Sequence, residues 1–331
     1  VATDRHPHRR VRGARQALNI DLAARQQRAR IVAAIREFFV GRGFLEVETP
    51  IRVVCPGLEP HLVAIPSGPD RWLRTSPELH LKRLLAAGSG PIFELARCFR
   101  GDEAGPWHRT EFTMLEWYRP NATLDAIAED VALLLPVAAQ AAGLPHATIR
   151  GCDLKVPLER ISVRAVVQRE TGIDLAAHST ASSLARALGA LGLRVAQDDD
   201  WDALFFRLMI ERVEPKLGRE RATILFHYPA SQAALANTSV DADGWPIALR
   251  FEVYLAGIEL ANAFDELTDA QEQRRRHLAD QAARRQAGRE VPALDEQFLA
   301  ALERGMPPSA GIALGVDRLI ALVCGRDRIE S

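Results

Sequence analysis

Two strand-like runs, Ile92 to Arg100 and Phe112 to Tyr118, constrain this chain more than any other feature. A loop rich in glycine, proline and charge joins them, so they read as a long antiparallel hairpin. Elsewhere, strand-like and helix-like segments do not alternate in a βαβ rhythm. An antiparallel α+β domain is therefore favoured over a doubly wound parallel sheet. No internal repeat or low-complexity segment interrupts the chain.

The other elements follow from periodicity and punctuation. Ile31, Ile35, Phe38 and Phe39 recur on one helical face and predict a helix from about Leu22 to Val40, stopped by Gly41 and Gly43. Phe44 to Pro50 alternates like a strand. Arg71 to Thr75 reads as a short strand leading into a helix that runs to Gly88. Ser76 suits the N-cap of that helix, Pro77 its first position and Glu78 its positive end. Residues from about 124 to 220 read as mostly helical, with Asp198-Asp199-Asp200 a solvated helix start rather than a metal site. Thr223 to Tyr228 and Leu249 to Leu255 return to strand. Asp269 to Gly288 is an Arg-rich helix. A small-residue strand, Gly311 to Leu314, then runs into a helix at Val316 to Val323.

Composition excludes several classes. The 331 residues carry 42 Lys and Arg against 43 Asp and Glu, a net −1, so any polyanion must meet a local patch. Apolar residues at 47% argue against wholesale disorder. No apolar stretch approaches the roughly 20 residues of a membrane helix. No apolar segment follows the basic start, so no secretory signal is read and a cytoplasmic location is expected. Cys55, Cys98, Cys152 and Cys324 lack CxxC spacing and read as buried, reduced thiols. No histidine lies in an HExxH pattern. Residues 1–20, with Arg5, Arg9, Arg10, Arg12 and Arg15, read as a basic, mobile tail.

Three separated segments combine arginine, carboxylate and glycine. The first is Phe99-Arg100-Gly101-Asp102-Glu103, followed by His108 to Tyr118. The second runs from Phe251-Glu252 through Gly257-Ile258-Glu259-Leu260-Ala261-Asn262 to Asp265-Glu266-Leu267. The third is Gly311 to Arg318. Arg100 can aim a guanidinium at a phosphate, and Glu252 with Glu259 can share Mg²⁺. Gly311 and Gly315 allow a flat ligand to approach the backbone beside Arg318. Any one segment alone reads equally well as a surface ion pair, but three together weaken that reading.

These segments resemble motifs two and three of class II aminoacyl-tRNA synthetases of the lysine type. Phe-Arg-x-x-Glu and His-x-x-Glu-Phe-Thr-Met-Leu-Glu carry motif two, and Gly-x-Ala-Leu-Gly-Val-Asp-Arg carries motif three. Glu46 to Pro50 after the first helix resembles motif one, which implies a homodimer through that helix and strand. Only about 45 residues precede Thr49-Pro50, too few for an anticodon-reading domain as well as the motif-one helix. The chain is therefore similar to the free-standing elongation factor P lysine ligase family. Thr75 to Glu78, Glu116 to Pro120, Tyr228 to Gln232 and Ala313 agree with that family. The synthetase pattern has alanine where Ser76 stands and glycine where Ala313 stands.

The resemblance implies a class II synthetase-like antiparallel sheet flanked by helices, as one catalytic domain over 21–331 with a mostly helical insertion at about 124–220. It implies ATP and Mg²⁺, with Arg100 on the α-phosphate and Arg100 and Arg318 as catalytic residues. Phe112 would stack on adenine, with Arg318 on its other face and His108 beside the nucleotide. Either Asp102 or Glu103 would read the adenine, with Glu103 preferred. Arg109 would reach a phosphate or face water. Leu260 and Gly315 would line the ATP site, and Glu252 and Glu259 would hold Mg²⁺. Glu78 would receive the backbone ammonium of the amino acid, and Glu266 with Tyr118 its side-chain ammonium. Ser76, Pro77, Glu116, Asn262 and Ala313 would complete that pocket. The implied substrates are (R)-β-lysine or lysine, with elongation factor P as acceptor and no stable tRNA binding. Two other readings stand beside this one: a synthetase paralogue acting on tRNA or another acceptor, and a catalytically silent regulator. The Arg-rich helix reads as a solvated face, and also as the first place to seek a protein partner.

Overall fold

In a computed structural model of the chain, residues 21–144 and 148–329 are described; the basic tail expected at 1–20 lies outside them. Among these residues, nine strands form one sheet. In chain order they are β1 (Leu45–Glu46), β2 (Ile92–Phe99), β3 (Glu111–Pro120), β4 (Glu159–Ser162), β5 (Thr223–Pro229), β6 (Thr238–Val240), β7 (Pro246–Leu255), β8 (Ile258–Asp265) and β9 (Ser309–Gly315). The spatial order is β1-β2-β3-β9-β8-β7-β5-β4, with β6 paired to β7. Only the outer pairs β1/β2 and β4/β5 are parallel; the pairs between them are antiparallel. The chain is thus α+β, and the expected hairpin is present as β2 and β3, in register from Ile92 opposite Tyr118 to Phe99 opposite Glu111.

Registers align residues in rows across the sheet. Glu94, Glu116, Ala313, Asn262 and Glu252 are successive partners on five neighbouring strands. Two residues along lies a second row, Ile92, Tyr118, Gly311, Phe264 and Arg250. Side chains two apart share a face, so both rows point the same way. The intervening row, Phe93, Trp117, Ile312, Ala263 and Phe251, points oppositely and lies wholly in the main apolar core. Helices α1 (Leu22–Gly41), α3 (Leu124–Ala141) and α9 (Val316–Val323) supply the residues that cover it. Phe39 of α1 packs against Phe44, Phe93 and Trp117 with ring centroids 4.9–5.1 Å apart. One face therefore buries hydrocarbon, and the other is free to carry polar groups.

Three further helices build a second apolar cluster against β5 and β7: α4 (Val163–Thr171), α5 (Ala181–Ala190) and α6 (Trp201–Leu208). Asp200 caps α6 by accepting from the Ala203 amide at 2.8 Å, while Asp199 pairs with Arg207, so this acidic triplet is indeed a helix start. The polar face is bounded by α2 (Glu78–Ala86), α7 (Ala270–Gln286) and α8 (Glu296–Gly305).

Several boundaries differ from expectation. The strand after the first helix is only Leu45–Glu46, although Val47 still donates to the Phe93 carbonyl at 3.0 Å. Helix α2 begins at Glu78 with Pro77 at its cap, one residue later than the sequence suggests; the Ser76 hydroxyl still accepts the Glu78 amide at 3.0 Å. The Arg-rich helix α7 is not simply a solvated face. Gln273, His277, Gln281 and Arg284 are buried, and Arg284 donates to the Glu59 and Leu62 carbonyls. The four cysteines are free thiols; Cys55, Cys98 and Cys152 are buried, and burial pushes Cys55 up to about 12. No described helix is long and apolar enough to cross a membrane.

Candidate active site

At one end of the polar face, α2 leans on β3. The Ser76 hydroxyl donates to Glu116 Oε1 at 2.6 Å while accepting the Glu78 amide, so its helix-capping and pocket roles coexist. The Tyr118 hydroxyl donates to Glu116 Oε2 at 2.9 Å. Burial first, then the nearby Glu78 charge, pushes Glu116 up to about 8. Burial also disfavours the charge on Glu266, and the Lys82 ammonium opposes this. Lys82 is fully buried, with Nζ 2.6 Å from Glu78 Oε1 and 2.5 Å from Glu266 Oε2. Burial disfavours its charge, but Glu266 and Glu78 more than reverse this and raise its pKa.

Two buried oxygens here, Asn262 Oδ1 and Glu266 Oε1, have no protein partner. A Cβ at Gly311 would overlap the Tyr118 ring and Glu266 Oε1, so only glycine leaves both groups in place. Gly57, Glu59, Ser76, Glu78, His277 and Asp280 also line a cavity of about 40 Å³ beside this pocket. A larger, open hollow of about 460 Å³ lies elsewhere, around Arg164, Asp174, Asp241 and Trp245. Arg164 is already saturated there by Asp174, Asp241 and Asp243, and no residue expected in the site lines it.

At the other end, the β2–β3 loop meets α9. The Arg100 guanidinium lies over the Phe112 ring, 5.2 Å from its centroid, and reaches Glu103 Oε1 at 3.1 Å. Its buried Nε has no protein partner. Glu103 therefore faces Arg100, whereas Asp102 is exposed. Arg318 donates to the Trp107 carbonyl at 3.1 Å and the Glu259 carbonyl at 2.9 Å, and meets His108 Nε2 at 2.7 Å. Burial and Arg318 lower the His108 pKa, which keeps the ring neutral. Asp317 anchors the start of α9 by accepting the Thr113 amide at 2.6 Å and pairing with Arg28. Arg109 takes a course absent from the sequence reading: it donates to the Ile329 carbonyl at 2.7 Å. Gly315 pairs with Met114 one residue before α9, and Leu260 of β8 is buried in the main core.

Between these ends lie three carboxylates. Arg250 pairs with Glu252, and the Tyr228 and Tyr254 hydroxyls donate to its Oε2 at 2.5 and 2.7 Å. Burial and then Glu252 push Glu259 up to about 7, against Arg318, Arg250 and Arg100. The Glu259 side chain is nevertheless 42% exposed, so a ligand in the cleft can reach it. Glu214 is pushed to about 7 by burial and by both neighbours. This surplus of negative charge suits Mg²⁺, which takes a few carboxylates plus phosphate and water oxygens. Among the described residues no group of three or more His, Cys, Asp or Glu is placed to hold a metal ion by itself.

Sequence reasoning missed Lys82 and Glu214. Lys82 stands four residues after Glu78 on one helix, a spacing that signals a pair. Glu214 carries no comparable signal, because only the fold brings it to Glu252.

The family description "tRNA synthetases class II (D, K and N)" matches residues 13–331. The chain is 42% identical over 320 residues to a protein of Haemophilus influenzae named Elongation factor P--(R)-beta-lysine ligase, covering 94% of each chain. Proteins of the same name from Sodalis glossinidius (43% over 314 residues) and Erwinia tasmaniensis (42% over 315 residues) are each matched over 92% of both chains. The chain belongs to the class II tRNA synthetase family, among the elongation factor P lysine ligases. It is accordingly a ligase with a class II fold. The motif-two hairpin of this ligase is β2–β3, and its motif three is β9 with α9. The three strands are neighbours in the sheet, and α9 packs over its apolar face.

Proposed function

We propose that this ligase uses ATP to activate the carboxylate of (R)-β-lysine, or of lysine, and transfers it to a lysine ε-amine of elongation factor P. The pocket built by Glu78, Glu116, Glu266 and Lys82 carries this reading. A carboxylate pair bridged by one buried ammonium, a third carboxyl beside it and two oxygens left without protein partners fit a ligand that brings cationic groups.

In the first step a carboxylate oxygen attacks the α-phosphorus of ATP and pyrophosphate leaves with the bond electrons. Arg100 and Arg318 neutralise charge on the phosphates, and Phe112 supports the adenine with Glu103 as its reader. Leu260 and Gly315 form the backbone wall there, with His108 beside it. Glu252 and Glu259 would hold Mg²⁺, which adds charge neutralisation at the phosphates. Glu78 receives the backbone ammonium, Glu266 and Tyr118 the side-chain ammonium, and Ser76, Pro77, Asn262 and Ala313 set the shape. In the second step the acceptor amine, after losing a proton, attacks the acyl carbon and AMP leaves. The work takes place in the cytoplasm.

One incubation tests the whole reading. The protein is supplied with ATP, Mg²⁺, either lysine isomer, and either elongation factor P or tRNA, and the acceptors are weighed. A mass gain of one lysyl group on elongation factor P is expected. A gain on tRNA alone would sink the proposal, and absent pyrophosphate release would point to a silent regulator.

Ala313 lies in the row between Glu116 and Asn262, on the ligand face. Ala313→Gly is expected to shift preference toward α-lysine by about fourfold, the worth of one buried methyl at about 0.8 kcal/mol. Competition between the isomers in pyrophosphate exchange reads this ratio; an unchanged ratio removes Ala313 from specificity. We also propose a homodimer through α1 and β1. Val40 at the end of α1 and Leu45 of β1 are 58% and 55% exposed, apolar side chains on the two elements that would meet a partner. Light scattering during gel filtration is expected to give twice the monomer mass, reduced to one by Leu45→Glu.

A further inference from the structure

We propose that Arg109 is a positioning residue for ATP: by clasping the backbone of Ile329 it holds the β2–β3 loop, and with it His108 and Arg318, in the arrangement the nucleotide meets. This rests on the ATP-site reading given above.

The loop, residues 100–110, is rooted by two backbone pairs. The Arg100 amide donates to the Thr110 carbonyl at 2.9 Å, and the Gly101 amide to the Val63 carbonyl at 2.7 Å. Within the loop tip, the His108 amide reaches the Gly105 carbonyl at 3.4 Å, a poor hydrogen bond. The tip draws better partners from α9 and from the segment after it. Gly325 takes a left-handed φ of 68°, its amide donates to the Leu322 carbonyl at 3.0 Å, and the Arg326 amide donates to the Ala321 carbonyl at 2.8 Å. This pairing is a Schellman motif, and it ends α9. Ile329 then buries its side chain and offers both backbone groups to the loop. Its amide donates to the Pro106 carbonyl at 2.8 Å, and its carbonyl accepts the Arg109 guanidinium at 2.7 Å, across 220 positions of sequence. Arg150 adds a further tie. It donates to the Arg326 carbonyl, pairs with Asp327 at 2.7 Å, and lies 5.4 Å from the centre of the Trp107 ring.

The loop tip hands this constraint to the nucleotide site. Trp107, between Pro106 and His108, offers its carbonyl to Arg318, and His108 meets the same guanidinium. Arg318 therefore stands between the loop on one side and the Glu259 carbonyl on the other. When Arg109 lets go of Ile329, Pro106 to Arg109 lose their outer support, and Arg318 loses the partners that aim it. Groups that must be ordered on binding cost affinity, so the loss falls on ATP. The amino-acid pocket lies at the other end of the polar face and keeps its own contacts. Arg109 thus acts through the loop rather than on a phosphate.

The test is lysine-dependent pyrophosphate exchange, with KM for each substrate, in Arg109→Ala, Ile329→Pro and the double variant. Proline at 329 removes the amide that donates to Pro106. Arg109→Ala is expected to raise ATP KM by about tenfold, the scale of a hydrogen bond to a charged group, with lysine KM within about twofold. Ile329→Pro should act similarly. The double variant should be no worse than the more severe single one, because both changes open the same clasp. Arg109→Lys keeps a charged donor and should recover most of the loss. If the two effects multiply to about a hundredfold, Arg109 works independently of Ile329 and the inference is overturned. It is overturned equally by a parent-like ATP KM in Arg109→Ala, or by equal rises in both KM values, the mark of general structural damage. Should Ile329→Pro fail to fold, amide hydrogen exchange of the ATP-free protein decides with Arg109→Ala alone. Exchange should quicken at residues 105–109 and 326–329 while β2 and β3 stay protected. Unchanged exchange in those two segments overturns the inference and leaves the function intact. Absence of lysine-dependent exchange in the parent overturns both.

Discussion

Arg100→Ala is expected to lower lysine-dependent pyrophosphate exchange by about 10²–10³-fold, the cost of removing a donor from developing oxyanion charge. Arg100 follows β2 at the mouth of the cleft, over the Phe112 ring, with a buried Nε that no protein atom satisfies. The same change should barely move thermal stability, because the lost Glu103 pair is partly exposed and worth little. Exchange and thermal melting measured on one preparation separate these effects. Activity within tenfold of the parent would remove Arg100 from the chemistry, and joint loss of folding would make the result structural.

Glu266→Gln should act on the other substrate. The change keeps size and removes one charge from a pocket where the carboxyl is 1% exposed and touches Lys82. Truncating a buried charge pair costs about 2–5 kcal/mol, so lysine KM should rise by about 10²-fold while ATP KM stays put. An analogue with an uncharged side chain provides the internal control. The parent should reject it, since a site built for a polar group loses its partner there. Glu266→Gln should discriminate far less. Equal loss for lysine and the analogue would mean that Glu266 shapes the pocket without reading the ammonium.

Much of this architecture is legible because its signals are local. The β2–β3 hairpin is bounded by a glycine- and charge-rich loop, and α9 by an abrupt change from small residues to a helical apolar stripe. Helix α1 has a strict apolar face closed by glycine. Strand β8 was not legible as a strand. Its run Ile-Glu-Leu-Ala-Asn-Ala-Phe-Asp places Glu259, Asn262 and Asp265 where strand preference is poor. It is a strand because two neighbours supply its hydrogen bonds and the ligand face needs polar groups. Helix α7 misleads for the opposite reason. Its arginines suggest water on all sides, yet Arg284 is drawn inward by backbone carbonyls of a distant loop.

By itself the sequence determined the family and the kinds of residue that chemistry would require. Motif spacing is a property of the chain, and an arginine or carboxylate keeps its chemistry wherever it lies. Only the tertiary structure decided which of those charges meet. Glu94, Glu116, Ala313, Asn262 and Glu252 form one row because five strands share a register, and Lys82 meets Glu266 across 184 positions of sequence because α2 docks on that row. Electrostatic energy depends on distance and on exclusion of water. Neither is written in the spacing of residues along the chain.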